Sequence, residues 1–127
     1  MIERLSPPGV PAPRGPYSPA VKAGGFVYVS GQVPVDTATN QMSLGDIQYE
    51  TRLVLNNTKM ILEGAGATLA QVVKCTVYLA DAADFKAMND VYAEFFGVDK
   101  PARSTVVCKF VMPDIKVEID CIAYVGA

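Results

Sequence analysis

Apolar and polar positions change their period several times along this chain of 127 residues. "AVKAGGFVYVSGQVPV", beginning at Ala20, alternates on either side of Gly24-Gly25, which predicts two strands around a turn, the second running from Phe26 to Ser30 and stopping at Gly31. Residues 34–45 are rich in turn formers and read as a loop. From Asp46, a natural cap, the residues Ile47, Thr51, Val54, Leu55, Thr58, Ile61, Leu62 and Ala65 fall at helical spacing until "GAGA" ends the run. "QVVKCTVYLA", 71–80, is β-branched and apolar in both registers, a strand. Asp81 caps a second helix with the apolar row Phe85, Met88, Tyr92, Phe95 and Phe96, closed by Gly97. Two strands, about 103–111 and 116–125, finish the chain around Met112-Pro113-Asp114. The order ββαβαββ predicts an α+β sandwich, a sheet with two helices on one face.

Before the first strand, residues 6–19 hold six of the nine prolines and predict a rigid extended arm. Two helices cover one sheet face only. Yet the strands place Val73, Cys75, Val77 and Leu79 against Val72, Tyr78 and Ala80, and Ile119 and Cys121 against Ile122 and Tyr124. A sheet apolar on both faces needs cover on both, and a second copy of the chain is the economical cover. A homo-oligomer is therefore expected.

Composition narrows the chemistry. Half of the residues are apolar and 19% are charged, as in a globular domain. Eleven basic against thirteen acidic residues leave a net charge of −2, no footprint for nucleic acid or an anionic membrane. No apolar run reaches the ~18–20 residues that span a bilayer. Met1-Ile2-Glu3-Arg4 lacks the basic and long apolar segments of a signal peptide, so a soluble cytoplasmic protein is expected. Cys75, Cys108 and Cys121 lie in apolar segments without a C-x-x-C and read as small buried hydrophobes. With no histidine and no cysteine cluster, no metal site is expected, and acid–base work falls to carboxylates, hydroxyls or water.

A few polar residues stand where apolar ones are expected. Arg103, at a strand mouth in "PARSTVV", offers a planar fork that grips a carboxylate in a bidentate manner, or makes an ordinary strand-end salt bridge. Glu118 interrupts a buried strand, as an acid does at an oligomer seam or in a site. Asn89 lies on the apolar row of the second helix, where its amide needs partners in a neighbouring loop or a ligand. Ser30-Gly31 ends a strand, where a glycine permits close approach to backbone or simply makes a tight turn.

Taken together, "GPYSPA" at 15–20, "YVSGQVPVD" at 28–36, "MNDVYAEFF" at 88–96, "PARSTV" at 101–106 and "KVEIDCIA" at 116–123 resemble the reactive intermediate deaminase family, RidA/YjgF. The resemblance runs from about residue 14 to the C-terminus. A length of 127 residues suggests one domain, 1–127, with the proline-rich arm at 1–16, and the resemblance implies a chorismate-mutase-like fold with a mixed sheet. It further implies a homotrimer with clefts between subunits, and cofactor-independent hydrolysis of 2-enamine and 2-imine acids to 2-keto acids and ammonia. By position, Arg103 resembles the residue that binds the substrate carboxylate and Glu118 the acid that handles water or protons. Tyr17, Ser30, Gly31 and Asn89 resemble pocket residues. Thr105 stands where close relatives of the archetype have a cysteine, "RST" for "RSC", which bears on substrate preference. Relatives have also been described as endoribonucleases and translation inhibitors, and the same cleft would serve a carboxylate-binding or holdase-like protein.

The last two strands run antiparallel, with Arg103 about eight or nine residues before the reversal and Glu118 about four after it. At ~3.3 Å per residue the two are offset by roughly 15 Å along the sheet. Both serve one small substrate only if they come from different subunits.

Overall fold

The computed structural model describes residues 1–126. Strands β1 (Ile2–Leu5), β2 (Ala20–Ala23), β3 (Phe26–Gln32), β6 (Val72–Leu79), β7 (Ala102–Val107) and β8 (Val117–Tyr124) form one six-stranded sheet in the order β1-β2-β3-β8-β6-β7. Its neighbours are antiparallel except β6 and β7, which are parallel and joined through a helix. A short hairpin, β4 (Val35–Asp36) with β5 (Gln41–Met42), lies within the segment read as a loop. Helices α1 (Ile47–Gly64) and α2 (Phe85–Phe96) cover one face, giving the expected α+β architecture with a mixed sheet.

Local chemistry explains where the helices begin. The Asp46 carboxylate accepts the Tyr49 N–H at 2.8 Å, so α1 starts where a donor would otherwise lack a partner. Asp81 accepts the Ala83 N–H at 2.9 Å, but the turn it caps is a 3₁₀ turn over Ala82–Asp84, and α2 itself begins at Phe85. Met88, Tyr92 and Phe96 of the predicted row are buried, whereas Phe85 is exposed. Between the helices and the sheet lie Val54, Leu55, Ile61, Leu62 and Met88 against Val27, Val77, Leu79, Ile119 and Cys121. Gly24 and Gly25 both have positive φ, 56° and 84°, the pattern of a type I′ turn between β2 and β3.

Four details differ from the sequence reading. The proline arm is preceded by a strand, β1, paired to β2 at the sheet edge. Strand β3 runs through Gly31 to Gln32 because a bulge absorbs an extra residue: Val29 pairs with Cys121 and Gln32 with Ile119. Strand β7 stops at Val107, opposite Leu79, because its partner β6 ends there; 108–116 is a loop, not strand. A bulge between Val72 and Lys74 also turns Val72 inward with Cys75 and leaves Val73 exposed, the reverse of strict alternation. Of the three cysteines, Cys75 and Cys121 are buried and Cys108, at the end of β7, is half-buried.

One buried acid fastens the loop 108–116. Glu50 on α1 is fully buried; its carboxylate accepts the Lys116 N–H at 2.8 Å and the Gly45 N–H at 3.1 Å, with the Lys116 ammonium at 3.3 Å. A buried carboxylate persists when donors and a counter-charge of this kind replace its water. The opposite sheet face carries Tyr28, Tyr124 and Val106, all exposed, with the Phe26 and Tyr124 rings 5.0 Å apart. No other element of the described residues covers it.

Candidate functional site

The candidate residues separate into two groups. Tyr17, Ser30, Gly31 and Glu118 line an open cleft of about 350 Å³, walled by Val33, Val111, Met112 and Ile115. Arg103 and Asn89 line a second hollow of about 290 Å³, with Tyr92, Phe96 and Lys100.

The β3 bulge builds the first cleft. Ser30 and Gly31 occupy the bulge, opposite the strand segment that carries Glu118. The Ser30 hydroxyl donates to the Ser18 carbonyl at 2.6 Å and its N–H to the Pro19 carbonyl at 3.0 Å, tying the arm to the strand. A Cβ on Gly31 would run into the Glu118 carboxylate, so this glycine makes room for the acid. Glu118 is half-buried, with its pKa raised, first by burial and then by the Asp120 carboxylate on the same face. Asp120 accepts the Tyr78 hydroxyl at 2.9 Å, and that bond, more than burial, pushes the phenol up to about 12. Glu118 makes no ion pair among the described residues.

At the second hollow, the Arg103 guanidinium lies over the Tyr92 ring at 4.7 Å and near the Phe85 ring at 5.7 Å. Stacking on aromatic faces holds the fork without consuming its donors. The alternative of a strand-end salt bridge is not realised: Arg103 has no acidic partner among the described residues. Among the described residues the buried Asn89 Oδ1 has no hydrogen-bond donor. The buried Tyr92 hydroxyl likewise has no oxygen or nitrogen partner among them and faces the Cys75 thiol; burial first, then that thiol, raise its pKa. Thr105 pairs with Val77 two residues beyond Arg103, on the same side of β7. The Lys100 ammonium donates to the Gly97 carbonyl at 2.7 Å. In sequence Tyr92 belongs to the apolar row of the second helix and Lys100 carries no signal beyond its place three residues before Arg103; the structure sets both in the Arg103 hollow.

The register shows why the two groups do not meet. Arg103 pairs with Cys75, and Cys75 with Cys121, whose side chains lie on the helix face. Glu118 pairs with Tyr78 on the opposite face. The offset along the strands is three residues, about 10 Å rather than the roughly 15 Å expected, because the reversal is a loop and not continued strand. Two strand spacings and the thickness of the sheet still separate them. One chain does not bring Arg103 and Glu118 to one small molecule.

Comparison with known proteins agrees with this fold. The sequence model of the family described as Endoribonuclease L-PSP matches residues 9–125. A RutC family protein of Pyrococcus horikoshii is 49% identical over 124 residues, 98% of each chain. The structure of the Rid family protein YyfA from Yersinia pestis superposes with a TM-score of 0.93 at 36% identity, over 98% of this chain and 100% of that one. TdcF of E. coli, solved with bound serine, gives 0.90 at 35% identity, over 98% and 99%. The chain belongs to this family, the RidA/YjgF group of Rid proteins.

Proposed function

We propose that this protein is a cofactor-independent deaminase of the 2-iminobutanoate/2-iminopropanoate type. It hydrolyses reactive 2-enamine and 2-imine acids to 2-keto acids and ammonia. The observation that carries the reading is a guanidinium in one hollow and an acid of raised pKa in another, neither with an ion-pair partner among the described residues. Arg103 binds the substrate carboxylate through its fork. An enamine first takes a proton from solvent on its β-carbon, giving the iminium. Water then adds to the α-carbon, the one double-bonded to nitrogen, and Glu118 accepts the proton it sheds. Glu118 returns this proton to nitrogen, the C–N bond breaks as the C–OH collapses to C=O, and the hydroxyl proton leaves with ammonia as ammonium. Tyr17, Ser30, Gly31 and Asn89 hold substrate or water. Thr105, beside Arg103, shapes preference and takes no covalent role. The serine bound in TdcF also pairs a carboxylate with a nitrogen, which supports an amino-acid-like ligand.

The two hollows work together only between copies. In this reading the protein is a homotrimer in which Arg103 of one chain faces Glu118 of the next, a head-to-tail contact closing as a ring and covering the exposed sheet face. It acts in the cytoplasm, without a nucleic-acid or membrane partner. The family description names an endoribonuclease instead. A net charge of −2 and the lack of histidine weigh against a phosphate-backbone substrate. The test is release of 2-keto acid from 2-aminoacrylate or 2-iminobutanoate generated in situ. The parent should exceed the uncatalysed rate and Glu118→Ala should approach it. A parent at background would leave the carboxylate-binding alternative.

A further inference from the structure

The proline arm has few ways to hold its shape. Pro11, Pro13, Pro16 and Pro19 lack an N–H, so the segment cannot join a strand ladder. The Ala12, Arg14 and Tyr17 N–H groups and the Arg14 guanidinium nevertheless have partners, and two of the acceptors belong to one residue. The Ala12 N–H donates to the Asn40 Oδ1 at 3.2 Å, and the Arg14 guanidinium donates to the Asn40 carbonyl at 2.7 Å. Asn40 sits at the tip of the β4–β5 hairpin with φ of 56°, a conformation that asparagine tolerates better than most residues. Its own N–H donates to the Asp36 carbonyl at 2.7 Å, which closes the tip. The hairpin is in turn fixed to α1, where the buried Asn57 amide donates to the Val35 carbonyl at 2.8 Å.

The arm so held carries Tyr17 into the cleft. The Arg14 N–H donates to the Tyr17 hydroxyl at 3.1 Å. That oxygen is therefore used as an acceptor on the arm side, and the phenol's single proton is left to donate elsewhere. We infer that Asn40 is a positioning residue: by gripping the arm on both sides of Pro13 it sets the Tyr17 phenol as a hydrogen-bond donor to the occupant of the Glu118 cleft. The inference rests on the deaminase reading for the identity of that occupant.

The test is a double-mutant cycle. Asn40→Gly keeps the backbone conformation accessible and deletes the side-chain acceptor, whereas Asn40→Asp keeps an acceptor oxygen. Asn40→Gly should lower kcat about two- to tenfold, the range one hydrogen bond commands, with KM little changed. Asn40→Asp should restore most of the loss. In a Tyr17→Phe background, Asn40→Gly should cost less than about twofold, because residues acting through one group are not additive. Equal losses in both backgrounds would overturn the inference. A second readout is independent of turnover: in protein labelled with fluorotyrosine, the resonance lost in Tyr17→Phe should shift in Asn40→Gly and stay in place in Asn40→Asp. An unmoved resonance in Asn40→Gly would overturn it as well. If the parent fails to hydrolyse imino acids while the resonance shifts, the deaminase reading falls and the control of Tyr17 by Asn40 stands.

Discussion

Arg103 and Glu118 owe their properties to opposite surroundings. Arg103 rests on the Tyr92 ring, with its fork unspent. Arg103→Ala should remove roughly 2–4 kcal/mol of transition-state stabilisation, at about 1.4 kcal/mol per tenfold in kcat/KM. Arg103→Lys should recover little, because an ammonium lacks the bidentate geometry. An alanine variant that stays folded and turns over at the parent rate would show that another group binds the carboxylate. Glu118 has its pKa raised, by burial and then by Asp120. An acid whose native pKa is raised contributes stability below its ordinary pKa, and this is lost as pH rises through the raised value. At neutral pH Glu118→Gln should therefore melt higher than the parent, and the gap should close as pH falls below the ordinary carboxylate range. If the parent melts higher at neutral pH, a cation reaches Glu118 from elsewhere in the assembly. The residue types at 103 and 118 stood out in the sequence because each breaks an apolar pattern. Their faces did not, since each depends on pairing with residues far along the chain.

The elements that place these residues were legible wherever their signals are local. Asp46 and Asp81 mark helical starts by a carboxylate accepting a nearby N–H, and Gly24-Gly25 marks a reversal by its positive φ. Strand ends are not local. Val107 is the last residue of β7 because β6 gives out at Leu79, a fact no window around 107 contains. Bulges escape alternation for the same reason: an inserted residue swaps Val72 with Val73 and stretches β3 past Gly31. The β3 bulge is the element on which the acid's position depends. Gly31→Ala would push its methyl group into the Glu118 carboxylate, the free end of a flexible side chain that has room to move. The expected result is a melting temperature close to the parent's with activity lowered at least tenfold, as a displaced acid misses its proton. Activity equal to the parent would mean that Glu118 works from a different position.

At the scale of the whole molecule, the sheet separates two hollows that each hold half of the proposed chemistry. The expectation of a second copy came from an apolar face that two helices do not cover, and the structure leaves Tyr28, Tyr124 and Val106 exposed there. The register adds a second reason on the proposed function, in which Arg103 and Glu118 serve one substrate, since the two lie on opposite faces about three residues out of step. The size of that offset was overestimated from sequence, because the turn residues Met112-Pro113-Asp114 sit inside a longer loop. The most direct measurement is activity after mixing Arg103→Ala and Glu118→Ala subunits by co-refolding. Each variant alone should be near background. In a random one-to-one ring assembly about a quarter of the interfaces pair an intact Arg103 with an intact Glu118, so about a quarter of the parent activity should return. A mixture no more active than the separate variants, although the chains have exchanged, would contradict a site shared between subunits.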